Sequence, residues 1–135
     1  MKKPTHITSA VLLFLFLWLF YPIDPFLLTF TLFGALLPDI DIKIRDLHRK
    51  LLHNLWIGAF LGYAFFILNP QYCLAFLIGF ASHLIIDSMT PVGIAPFWPF
   101  GIRVTGNVVT GGTKEMLFSV FLMILILIIF VVKFL

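Results

Sequence analysis

The chain holds four histidines, His6, His48, His53 and His83, and each stands at the edge of an apolar run. Asp39, Asp41 and Asp87 occupy similar edges. Imidazoles and carboxylates together form the donor set of Zn²⁺ and related divalent cations, and they are also the groups of general acid–base chemistry. The strongest local pattern is Ala75, Gly79, His83 and Asp87, spaced four residues apart. On a helix these share one face. The two small residues admit a neighbouring helix, and His83 and Asp87 then offer two ligands at its end. The plain alternative is a buried histidine hydrogen-bonded to its own aspartate. In apolar surroundings that pairing is costly, and the other His and Asp groups fall at the same interface.

Asp39 and Asp41 lie in Leu36-Leu37-Pro38-Asp39-Ile40-Asp41, where Pro38 ends a helix. A solvated acidic turn or a cap is the ordinary reading. Set in an otherwise basic connection, the pair reads instead as ligands, or as one ligand and one general base. His48 and His53 are five residues apart, about 140° around an ideal helix, so they do not share a face. His48 is expected in the loop and His53 in the first turns of the helix that follows. Asn54, Gly58 and Gly62 continue a stripe, with Gly58-x3-Gly62 as a helix-packing motif. His6 follows Thr5, an expected N-cap, and is either a terminal surface histidine or a further ligand. Glu115 is expected to cap the last helix, with Thr113, or to complement its dipole, with a metal or catalytic role as the alternative. Arg49 and Arg103 could bind a phosphate bidentately, or could serve only to set membrane orientation. Cys73 is the only cysteine, which excludes a disulfide scaffold, and it lies at the far interface from the His/Asp groups. Gly-rich phosphate loops, Gly-x-Ser-x-Gly, His-Glu-x-x-His and Cys-x-x-Cys are absent from the sequence.

The elements that must position these residues are apolar. Hydrophobic residues make up 61% of the 135 and charged residues 11%, against about 45–50% and about 25% in soluble domains. Mean hydropathy is +1.12. Nine basic and six acidic residues cannot cover the surface of a soluble fold this small. Disorder is excluded by the same composition. The basic balance reads as a membrane-topology signal rather than a nucleic-acid surface. The fold expected is one all-α integral-membrane domain over residues 1–135. Its apolar runs are 7–21, 26–37, 55–68, 72–86 and 116–132, giving about five transmembrane helices. The first four runs are short, covering about 18–22 Å at 12 to 15 residues, so flanking polar residues must enter the helices or the bilayer must thin. Residues 101–112 alternate as for a short β-hairpin around Gly106-Asn107. Lys and Arg fall before the first run, between the second and third, and between the fourth and fifth. This bias predicts a cytoplasmic N-terminus and an external C-terminus, with Lys133 snorkelling to the far interface.

These elements together resemble the YdjM-like family of membrane-bound, metal-dependent hydrolases. The resemblance rests on His6, Leu36-Leu37-Pro38-Asp39-Ile40-Asp41, His48-Arg49-x3-His53, and Gly79-x2-Ser82-His83-x3-Asp87-x2-Thr90-Pro91-x-Gly93, followed by the Pro/Trp-rich segment 96–99. It spans roughly Thr5 to Arg103. Where many members read His-Arg-Gly-x-Thr-His-Ser, this chain reads His48-Arg49-Lys50-Leu51-Leu52-His53-Asn54, keeping both histidines. The family is distantly similar to zinc-dependent phospholipase C. The resemblance implies one or two Zn²⁺ ions or similar cations held by His6, Asp39, Asp41, His48, His53, His83 and Asp87. It further implies hydrolysis of a phosphoester, such as a phospholipid or isoprenoid phosphate, at the cytoplasmic interface, with no nucleic-acid partner. Two other classes stay open: a small ion or proton transporter, and a metal-stabilised scaffold without catalysis.

Overall fold

The computed structural model describes residues 1–40 and 52–135. Among these, five α-helices follow one another: α1 Lys3–Phe20, α2 Leu27–Leu36, α3 Leu55–Leu68, α4 Pro70–Ser88 and α5 Thr113–Phe134. A 3₁₀ turn, Leu37–Asp39, continues α2. The breaks follow local chemistry. Pro22 and Pro25 separate α1 from α2. Asn69 ends α3 and caps α4, its side chain accepting from the Gln71 N–H at 2.8 Å, with Pro70 at the first helical position. Asn54 caps α3 in the same way through the Trp56 N–H, so it is a cap rather than part of a stripe inside the helix.

α1, α4 and α5 are long and apolar enough to cross a membrane, while α2 and α3 have 10 and 14 residues and are shorter. The polar flanks do enter the long helices: α1 starts at Lys3, and α4 runs through Asp87 and Ser88. The helices alternate in direction. Thr5 meets Ser119 at one end of α1 and α5, and Trp18 meets Lys133 at the other, so these two run parallel. His6 faces Asp87 and Phe14 packs with Ala75, so α4 opposes α1. α2 runs alongside α4 in the same sense, with Thr31 against Gly79 and Ala35 against His83. α3 opposes α4, Gly58 facing Phe80 and Gly62 facing Leu77.

α2 and α4 approach closest. A Cβ on Gly79 would run into the Thr31 carbonyl, and one on Gly34 into the Phe76 carbonyl. One glycine on each helix therefore brings the two backbones into contact, as small residues do in membrane bundles. Phe76, Phe80 and Leu84 form the adjoining core with Ile94 from the long loop.

That loop differs from the expected hairpin. Ile94 and Val104 exchange both backbone bonds, at 3.0 and 2.9 Å, as an isolated antiparallel bridge, and no strand forms among the described residues. The Gly106 N–H donates to the Thr90 carbonyl and the Val108 N–H to the Met89 carbonyl. The extended residues thus spend their hydrogen-bonding groups on Ile94 and the end of α4 instead of on one another. Gly106 lies against the Met89 backbone, where a Cβ has no room. The aromatic segment is fastened to the start of α3: the Pro96 carbonyl accepts from Leu55 N–H at 2.9 Å and the Trp98 carbonyl from Asn54 Nδ2 at 2.7 Å.

Candidate metal centre

Two helix ends and two turns meet at one end of the bundle. α4 supplies His83 and Asp87 one turn apart, both buried. The 3₁₀ turn after α2 supplies Asp39, half-buried. His53 is buried in the turn that precedes the Asn54 cap, rather than in the first turns of α3. With Asn54 as the cap, α3 starts at Leu55, and His53 lies ahead of the helix and is buried. α1 supplies His6, fully buried.

Asp39, His53, His83 and Asp87 each present one ligand atom, and these atoms lie within 4.8 Å of one another. His83 Nε2 is 3.0 Å from His53 Nε2, 3.7 Å from Asp87 Oδ2 and 3.8 Å from Asp39 Oδ1. His53 Nε2 is 3.3 Å from Asp87 Oδ2. Ligand atoms about 2.0–2.1 Å from a tetrahedral Zn²⁺ stand about 3.3–3.4 Å apart, so these separations bracket the edge of such a tetrahedron. Two imidazoles and two carboxylates suit Zn²⁺ and neighbouring divalent ions.

The protonation pattern agrees. His83 Nδ1 lies 2.7 Å from the Ala35 carbonyl, which only accepts. Nδ1 therefore carries the proton, and the Nε2 lone pair points into the cluster. A backbone carbonyl fixing the tautomer from behind is the usual support of a metal-binding histidine. The Gly79–Thr31 approach is what brings the Ala35 carbonyl within reach of His83, one turn further along both helices.

Asp87 faces two ways. Its Oδ2 meets His53 and His83, while its Oδ1 lies 3.3 Å from His6 Nε2 and pairs with the Met1 amino group. The His6 ring stacks on His83, centroids 4.0 Å apart and planes 13° from parallel. Both ring nitrogens of His6 are buried without a hydrogen-bond partner. A buried imidazole that makes no hydrogen bond is costly, and a metal cation on the Oδ1 side of Asp87, where the Met1 amino group now stands, would satisfy it. The residues present therefore fit one cation at the four-residue cluster, and His6 with Asp87 Oδ1 would offer donors to a second in place of the Met1 amino group.

Of the residues singled out from the sequence, His6, Asp39, His53, His83 and Asp87 come together here. Asp41, His48 and Arg49 lie outside the described residues. Arg103 is exposed, and its Nε donates to the Val92 carbonyl at 2.9 Å, tying the loop to itself. Thr5 is no N-cap: α1 begins earlier, at Lys3, and the Thr5 hydroxyl donates to Glu115 Oε1 at 2.8 Å. Thr113 is likewise the first residue of α5 and not its cap, a position held by Gly112. Sequence reasoning missed the reach of Glu115 across to α1, although a lone carboxylate at the mouth of a charge-free apolar run was the available signal.

A family model described as YdjM inner membrane protein matches residues 1–134. The chain belongs to this family. No curated protein and no solved structure matches it.

Proposed function

We propose that this YdjM inner membrane protein is a membrane-embedded, metal-dependent hydrolase of phosphoesters. The observation that carries the reading is the convergence of Asp39, His53, His83 and Asp87 at one buried end of an otherwise apolar bundle. Zn²⁺ is the ion best suited to this donor set, with a second equivalent between His6 and Asp87 Oδ1. A divalent ion held there would lower the pKa of water and offset charge on a phosphoryl group. The protein's own part is orientation. The Ala35 carbonyl fixes the His83 tautomer, Asp87 holds both imidazole sets in place, and α1 packs His6 against His83. Asp41, beside the cluster in sequence and not needed to complete four ligands, is assigned the general base. Arg49 and Arg103 are assigned to substrate phosphate.

The Lys/Arg bias supports a cytoplasmic N-terminus and site. A site at the membrane interface suits a phospholipid or isoprenoid phosphate whose tail stays in the bilayer. The transporter reading has less support. The helical hydroxyls of Ser9, Thr31 and Ser82 donate to carbonyls of their own helices, at His6, Leu27 and Gly79. The other end of the bundle is aromatic and aliphatic. The test is metal analysis of purified protein joined to a screen of lipid and isoprenoid phosphates. Metal-dependent release of phosphate or headgroup is expected. Stoichiometric metal with no turnover on any phosphoester would leave the scaffold reading in its place.

A further inference from the structure

Glu115 is a carboxylate buried where it has no evident reason to be. It sits in the first turn of α5, a helix whose side chains from Met116 to Val132 are apolar except for Ser119 and mostly exposed to the surroundings of the bundle. Only 3% of the residue is accessible. Three donors converge on it. Oε1 accepts from the Lys2 backbone N–H at 2.6 Å and from the Thr5 hydroxyl at 2.8 Å, and Oε2 accepts from the Gly111 N–H at 2.5 Å. The Thr5 hydroxyl is also 3.0 Å from Ser119 Oγ.

α1 lacks a cap of its own. Its N-cap, Lys2, makes no side-chain cap bond, and its first turn contains no acid. Helices need their first N–H groups satisfied, and a carboxylate beside them also complements the helix dipole. In a capping box, a glutamate within the helix reaches back to the N-cap N–H. Here Glu115 does this from another helix. The residue it grips through the hydroxyl, Thr5, immediately precedes His6, whose ring stacks on His83 and faces Asp87 Oδ1.

We infer that Glu115 is a positioning residue of the metal centre, holding the first turn of α1 so that His6 stays seated against Asp87 and His83. It acts through Lys2 and Thr5 and, among the described residues, touches no ligand atom itself. The inference rests on the metal-centre reading for its effect on affinity, but the seating of His6 can be read without any metal. α5 grips α1 a second time at the far end, where Lys133 Nζ donates to the Trp18 carbonyl at 3.0 Å and lies 5.0 Å from the Trp18 ring centre. That contact supplies the control. Lys133→Met loosens α5 on α1 as Glu115→Ala does, but at the end away from His6.

The experiment uses the full chain in detergent, as wild type, Glu115→Ala, Glu115→Gln, Thr5→Val and Lys133→Met. Metal-free protein is treated with diethyl pyrocarbonate, and carbethoxylation of His6 is followed by peptide mass spectrometry. His6 is expected to react about fivefold faster in Glu115→Ala, the factor that loss of one helix cap produces. Thr5→Val and Glu115→Gln should move the same way by less, and Lys133→Met should match wild type. Zn²⁺ affinity, by chelator competition, should fall about tenfold for the His6-side equivalent and stay unchanged at the four-residue cluster. An unchanged His6 rate in Glu115→Ala and Thr5→Val would overturn the inference, as would an equal rise in Lys133→Met. If no variant binds Zn²⁺ while the His6 rates divide as expected, the positioning role stands and the metal reading fails. Should Glu115→Ala not fold, Glu115→Gln and Thr5→Val decide.

Discussion

The two ends of this bundle are built by the same helices and packed by the same kinds of ring contact. At the apolar end, Phe30 and Tyr72 stack 4.4 Å apart with planes 8° from parallel, and Phe65 meets Phe30 edge-on at 5.5 Å. At the polar end, His6 and His83 stack at 4.0 Å, and His53 meets His83 edge-on at 4.9 Å. The first cluster is held by its ring faces and edges, which need only neighbours. The second sets imidazole nitrogens and two carboxylates in a buried space, where polar groups need partners. Near-identical ring geometry thus yields packing at one end and, at the other, a group of donors that could hold a metal ion. The difference lies in the donors the rings carry.

The most damaging change to the polar end should be Asp87→Ala. It strips oxygens from both imidazole sets, so metal and activity are expected to disappear together, measured as metal content and turnover on the same preparations. Asp87→Asn keeps the shape and should retain folding better than metal. Full metal and full activity in Asp87→Ala would erase the contrast between the two ends.

Next in size is Gly79→Val. The new side chain meets the Thr31 carbonyl, part of a backbone that cannot give way. A cost of about 2–3 kcal/mol is expected, and pushing α2 off α4 should also carry the Ala35 carbonyl away from His83. Thermal unfolding in detergent and metal content should therefore fall together. A loss of stability with metal affinity intact would separate helix packing from the site.

Phe30→Leu should do the opposite at the apolar end. It is expected to cost about 1 kcal/mol and leave metal content at the wild-type value. The mildest effect should come from Arg103→Ala. Its Nε donates to the Val92 carbonyl within the same loop, so metal should be retained. If Arg103 also binds substrate phosphate, KM should rise with little change in kcat at saturation.

The sequence made the polar end more legible than the bundle around it. His83 and Asp87 declare a shared face by their spacing, and Gly58-x3-Gly62 declares a packing face, now filled by Phe80 and Leu77. The charge bias implied alternating helix directions, and the described helices alternate. Element ends were harder to read. α1 reaches back to Lys3, and the N–H of its N-cap Lys2 is satisfied by a distant glutamate, which no local pattern encodes. His53 falls outside α3 because Asn54 is the better cap. The 101–112 segment has strand-like alternation, but its partners are Ile94 and the end of α4, and such long-range pairing is invisible in period alone. The burial of His6 between Asp87 and His83 and the second grip of α5 on α1 at Lys133 likewise required three dimensions.

The central claim is that the buried His/Asp cluster is a metal centre. Its most direct test is X-ray absorption at the Zn edge on purified protein, alongside His53→Ala and His83→Ala. Wild type should hold zinc in an all nitrogen and oxygen shell at about 2.0–2.1 Å, with imidazole signatures, and each variant should lose most of it. Zinc absent from wild type, bound through sulfur, or retained in full by both variants would contradict the account.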